Sequence, residues 1–149
     1  GTRRMVGDTL ALRQVAGDRP LCVLVDNDDE GRAVAHVLTT RLGMRNKTEV
    51  VSVAVVFDDR WQGHHWDAED LFPPDLLERF VADNGGDEVL RGKVRRPDGQ
   101  WHWWLTTEAK ALLPGWLAGH ASPADLQRWL AMAVVLRRAL GLGATDAGD

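Results

Sequence analysis

The chain has 149 residues, 44% of them hydrophobic and 27% charged, with a formal charge of −4. That balance fits one ordinary globular domain, with no run near the ~18–20 apolar residues of a membrane helix and no charged-then-apolar leader at its start, so an intracellular, cytoplasmic protein with no membrane partner is expected. The negative charge argues against a free-standing, high-affinity nucleic-acid binder, yet it leaves a metal-dependent nuclease open, because acidic ligands and bound cations partly cancel.

Residues 3–16 read as a helix, with Met5, Leu12 and Ala16 on one side and Val6 and Leu10 flanking it, stopped by Gly17-Asp18-Arg19-Pro20. Residues 21–25 form an apolar run of strand length that ends in acid. The single cysteine, Cys22, lies in that run; it is expected as a buried core residue, with no internal disulfide and no thiolate metal cluster. Val34, Val37, Leu38 and Leu42 give 30–42 helical spacing, with Gly43 as the C-terminal cap. The β-branched stretch 50–57 reads as a second buried strand, closed by Asp58 and Asp59. Strand, helix and strand in that order predict a βαβ unit with parallel strands and a right-handed crossover.

Residues 60–74 are irregular and rich in Trp and His; His64 and His65 read as a solvent-exposed loop pair rather than as metal ligands with Asp59 or Asp67. A helix follows with Leu76, Leu77, Phe80 and Val81, ended by Asn84-Gly85-Gly86-Asp87. Pro97-Asp98-Gly99 between Val94 and Trp101 points to a hairpin or an extended loop over 88–104. Two helices finish the chain, 107–117 and then 122–140, the latter with Ser122 as N-cap and Pro123 at its first position. Residues 143–149 read as a frayed, flexible tail.

This order places Asp26, Asp28 and Asp58 beyond the carboxyl ends of parallel strands, where open α/β sheets bind ligands. Carboxylates at i and i+2 can converge on one ion, and an oxygen-only ligand set suits Mg²⁺ or Mn²⁺. The competing role of Asp28, Asp29 and Glu30 is to cap the next helix, which accounts for them but not for Asp26. A second acidic element, Asp67-Ala68-Glu69-Asp70-Leu71-Phe72-Pro73-Pro74, also reads as ordinary helix-start chemistry. Lys110 falls beside the apolar stripe of its helix, where a side chain either turns toward an acidic site or snorkels to solvent.

Together these phrases bring a family into view. Gly1-Thr2 opening a helix, Val25-Asp26-Asn27-Asp28-Asp29-Glu30-Gly31-Arg32, Ala68-Glu69-Asp70-Leu71-Phe72-Pro73, and the Lys110 helix followed by 126–142 resemble the Toprim domain of the OLD (overcoming lysogenization defect) family nucleases. The resemblance implies an α/β, Toprim-like (Rossmann-like) parallel sheet flanked by helices with a C-terminal helical pair, spanning 1–142. It implies a metal-dependent DNA endonuclease using Mg²⁺ or Mn²⁺, with DNA as partner and an ABC-type ATPase domain in the parent chain. Position by position, Asp26 and Asp28 resemble the Asp-x-Asp metal ligands. Glu69 is similar to the additional acidic ligand with a catalytic role, Asp70 to its support, and Lys110 to the lysine that stabilises charge in cleavage. Toprim domains begin with a strand ending in a glutamate, and no residue here takes its place, Asp8 lying inside a helix; an N-terminally truncated domain, inactive as an isolated fragment, is the expectation.

Arg91, Lys93, Arg95 and Arg96, followed by Trp101, Trp103 and Trp104, are candidates to track a DNA backbone and stack on a base. Two other classes stay open. One is a non-catalytic Toprim-like interaction module, acting through its Trp-rich surface or as a homodimer. The other is a dehalogenase- or receiver-type phosphotransfer domain with Asp26 or Asp28 as nucleophile, against which stands Glu30 at the position four after Asp26, where the dehalogenase motif has Thr or Val.

Overall fold

The structure, a computed structural model, describes residues 2–143. Of the tail expected at 143–149, residues 144–149 lie outside the described residues, as does Gly1. The protein is mixed α/β, and its described residues form two compact units, one of residues 2–67 and 130–143, the other of 68–129.

The first unit is built on a βαβ element. Helix α1 (Thr2–Ala16) leads to strand β1 (Val23–Val25), helix α2 (Asp29–Thr40) and strand β2 (Val50–Ser52). β1 and β2 pair in parallel, Val23 with Val50, Leu24 with Val51 and Val25 with Ser52. The helical spacing of α2 puts Val34 and Leu38 against Val23, Val25, Met44 and Val50, and Met5 and Val6 of α1 close the cluster. Full burial of each such side chain stabilises by ~1.5–3 kcal/mol relative to exposure, so this cluster fixes the tilt of α2 and with it the acidic turn before it.

Two expectations are corrected. The strand over 50–57 stops at Ser52, and Val53–Val56 coil into a 3-10 turn whose entry is set by Ser52 Oγ accepting from Ala54 N at 3.2 Å. β1 itself ends at Val25, so backbone beyond Ser52 has no ladder partner, and Val53 and Ala54 bury without one at 0% and 5% exposed, while Val55 turns outward at 42%. Cys22 is half-buried rather than a full core residue, and burial, then the charge of Glu49, pushes its thiol pKa up.

The second unit holds helix α3 (Pro74–Asp83), the antiparallel hairpin of β3 (Leu90–Arg95) and β4 (Trp101–Leu105), and helix α4 (Thr107–His120). The hairpin is the form the chain takes over 88–104, with Gly99 at φ +81° supplying the left-handed turn residue. Its core is Leu77, Phe80, Val81, Val89, Trp103, Leu105, Ala109 and Leu113. α4 runs one turn past the expected end, its last turn carrying the stacked rings of Trp116 and His120, with centroids 4.2 Å apart. Ser122 and Asp125 form the capping box that opens a 3-10 turn, Pro123–Leu126, from which α5 (Gln127–Ala139) continues. No helix among the described residues is long and apolar enough to cross a membrane.

Candidate metal centre

β1 is followed directly by Asp26-Asn27-Asp28, and each of these three residues has a separate job. Asp28 is the N-cap of α2: its backbone is extended, and Oδ1 accepts from Gly31 N at 2.6 Å. This satisfies one of the orphan donors of the first turn. Gly31 is required by the same turn, because a Cβ there would overlap the backbone carbonyl of Asp26. α2 therefore starts in backbone contact with the end of β1, which holds the two aspartates close together.

Asn27 captures the loop that follows β2. It forms an antiparallel bridge with Trp66, donating its N–H to Trp66 O at 2.7 Å, while its Nδ2 donates to Gln62 O at 2.8 Å and His64 O at 2.6 Å. Trp66 is locked in turn, stacked on Phe57 with centroids 3.6 Å apart and donating its indole N–H to Trp61 O. The residue after Trp66 is Asp67, 8% exposed, whose Oδ1 accepts from His65 Nε2 at 2.9 Å. The result is a triad: one carboxylate oxygen from each of Asp26, Asp28 and Asp67 lies within 4.8 Å of the others.

That donor set fits a hard divalent cation. Oxygens on opposite vertices of an octahedron with ~2.1 Å bonds stand about 4.2 Å apart, so the observed spread closes onto an ion with small side-chain adjustments. Beside the triad is an open pocket of about 320 Å³ lined by Arg4, Met5, Asp8, Asp26, Asp28, Glu30 and Val34. Asp8, set aside in the sequence as a helical residue, thus lines the same pocket as the Asp-x-Asp pair, with Arg4 at 3.8 Å.

Asp58, also expected beyond a strand end, lies past the 3-10 turn that follows β2 and instead caps the next turn, its Oδ1 accepting from Arg60 N at 3.2 Å. Glu69, Asp70, Lys110 and the basic run lie in the second unit. Glu69 and Lys110 form an ion pair of 2.9 Å, with the lysine on the exposed side of α4. Asp70 is buried, with Arg96 Nη2 at 2.6 Å from Oδ1 and His102 Nδ1 at 3.0 Å from Oδ2. Burial works against ionisation of Asp70, but the hydrogen bonds and charges of His102 and Arg96 outweigh it and hold the carboxyl below its ordinary value. Arg128, which donates to the Asp70 carbonyl oxygen, has its own pKa lowered by burial, against the attraction of Asp70. Arg96, one of the candidate DNA contacts, is a buried counter-ion of Asp70, while Arg91, Lys93 and Arg95 are exposed on β3.

The sequence brings Asp26 and Asp28 to a strand end, and the family resemblance gives Glu69 as the third acid; the first unit's own third carboxylate is Asp67, which the sequence showed only as the first residue of the second acidic element and not as a ligand. No family model, curated protein or solved structure matches the chain.

Proposed function

We propose that the end of β1 is the divalent-cation site of a Toprim-type nuclease domain of the OLD kind, acting on the phosphodiester backbone of DNA. The observation that carries the reading is the triad of Asp26, Asp28 and Asp67 oxygens at the carboxyl end of a parallel strand, beside an open pocket. A Mg²⁺ or Mn²⁺ ion bound there supplies Lewis-acid stabilisation of charge on phosphate oxygens and lowers the pKa of a bound water.

The chain's own residues divide the remaining work. Asp26 and Asp67 give ligand oxygens from a strand end and a clamped loop, so little conformational freedom is lost when they close on a cation. Asp28 gives one oxygen to the α2 cap and keeps its second for a metal. His65 holds Asp67 in one rotamer. The partial positive charge at the N-terminus of α2 favours anions at the same place. The family resemblance gives Lys110 the part of offsetting phosphate charge and Glu69 that of a further acid; in the second unit the two hold each other in register.

A Mn²⁺ titration followed by thermal unfolding tests the proposal. At ~100 times the dissociation constant, the ion should stabilise by ~2.7 kcal/mol, a rise of roughly 5–10 °C for a chain of this size. Asp26→Asn and Asp67→Asn should each lose that rise. An undiminished rise in both variants, or none in the parent at millimolar Mn²⁺, defeats the reading. Nicking of supercoiled plasmid by the chain, absent in Asp26→Asn, would extend it from binding to catalysis.

A further inference from the structure

We propose that the face of the β3–β4 hairpin bearing Lys93, Arg95 and Trp101 binds single-stranded nucleic acid. This deepens the nuclease reading and rests on it for the strand's role as substrate, but the binding itself stands on the hairpin alone.

Between Leu90 and Leu105 the chain carries Arg91, Lys93, Arg95 and Arg96 against one acid, Asp98, in a protein of net charge −4. Arg96 is committed to Asp70, which leaves three exposed cations on β3. Lys93 and Arg95 are two residues apart on a strand and so share a face, and the register sets them opposite Trp103 and Trp101. Lys93 Nζ lies 5.6 Å from the Trp101 ring centroid and 5.4 Å from that of Trp103, and Arg95 Cζ lies 5.8 Å from Trp101. Both cations thus lie within cation–π reach of indole rings, and Arg95 Nε also donates to Gly99 O at 3.2 Å. Trp103 is a core residue, whereas Trp101 is 37% exposed.

The face therefore combines cations placed beside indole rings with an aromatic ring outside the core. Cations that follow a phosphate backbone together with aromatics that stack on bases are the chemistry of single-strand recognition. A duplex keeps its bases stacked on one another and offers no ring to Trp101. An acidic peptide satisfies the charges but not the indole, and a peptide adding to a sheet pairs with a strand edge, whereas these groups stand on a face.

The test is fluorescence anisotropy with a labelled oligothymidylate of about 15 nucleotides, using the whole chain in EDTA, so that failure of the metal site and failure of the hairpin are read separately. Binding should weaken steeply between about 50 and 200 mM salt, and the Lys93→Ala/Arg95→Ala variant should flatten the log–log salt slope by about 1.4. Trp101→Ala should lower affinity about 5- to 100-fold, while Trp101→Phe retains most of it. Trp104, 40% exposed on the opposite face opposite Gly92, is the control, and Trp104→Phe should leave affinity unchanged. The proposal is overturned by equal affinity for duplex of the same length, by unaltered binding in the Trp101→Ala and double variants, by tighter binding of a polyglutamate peptide, or by absence of oligonucleotide binding at the lowest salt.

Discussion

Replacing Gly31 with alanine perturbs the closest approach in the first unit. An ideal Cβ at Gly31 would stand 2.7 Å from the carbonyl carbon of Asp26, closer still to its oxygen, and 3.1 Å from Asp28 Oδ1. Carbon atoms rest at ~3.5–4.0 Å, so either the first turn of α2 or the end of β1 must move by roughly 1 Å. Both are backbone, and no side chain can swing aside. Overpacking of this kind costs ~1–3 kcal/mol and sometimes more, here at the upper end, while alanine's helix preference over glycine returns up to ~1 kcal/mol. The net expectation is a loss of about 2 kcal/mol, seen in urea unfolding as a midpoint lower by on the order of 1 M. The same movement parts Asp26 from Asp28, so the Mn²⁺ response should fall as well. Gly7 is the internal control: it is exposed inside α1 with nothing within 4 Å of a would-be Cβ, and Gly7→Ala should stabilise by ~0.5–1 kcal/mol. A Gly31→Ala protein as stable as the parent, with an intact Mn²⁺ response, refutes the close contact and the site geometry built on it.

Asp28 has two roles that substitutions can separate. Asp28→Ala removes the α2 cap and should cost ~1 kcal/mol, whereas Asp28→Asn keeps a capping oxygen and most of that stability; both should lose Mn²⁺ affinity, and equal unfolding midpoints for the two variants would deny the cap its role. For Asp70 the sign follows from the direction of its shift. A folded pKa below the unfolded value of ~3.9 means that its contribution is fully present above ~pH 4 and is lost as pH falls through the folded value. Urea midpoints followed into acid should fall more steeply for the parent than for Asp70→Asn, and parallel curves would show that Asp70 is not held ionised by Arg96 and His102.

Much of the fold was legible because local and long-range signals agree. The Val34–Leu38 spacing, an acidic cap and two flanking apolar runs specify a βαβ element without ambiguity of period. Ser122-Pro123 marked the start of the last helical segment, and Pro97-Asp98-Gly99 marked the turn of a hairpin. What could not be read was the extent of β2. Val53 and Ala54 look like strand residues because they are buried, but a strand also needs a neighbour for its backbone, and the run of residues says nothing about where β1 stops. Arg96 is the same problem among charges: a basic run predicts an exposed row, and only the fold reveals that one member faces a buried carboxylate distant in sequence.

The candidate site divides along that line too. Asp26 and Asp28 are placed by neighbours in sequence: a strand ends, a helix begins, and Gly31 lets the two touch. Asp67 is placed by a capture event across many residues, in which a side chain amide between the two aspartates gathers the backbone of 62–66 and Trp66 seals against Phe57. No periodicity or spacing encodes such a clamp. Asn27 is therefore the residue whose meaning changes most between sequence and structure. In the motif it fills the gap between two candidate ligands; in the fold its Nδ2 carries two of the hydrogen bonds that bring the third carboxylate to them. An aspartate at that position would set a carboxylate against two carbonyl oxygens and release the loop, so the amide of Asn27 belongs to the site as firmly as the carboxylates on either side of it.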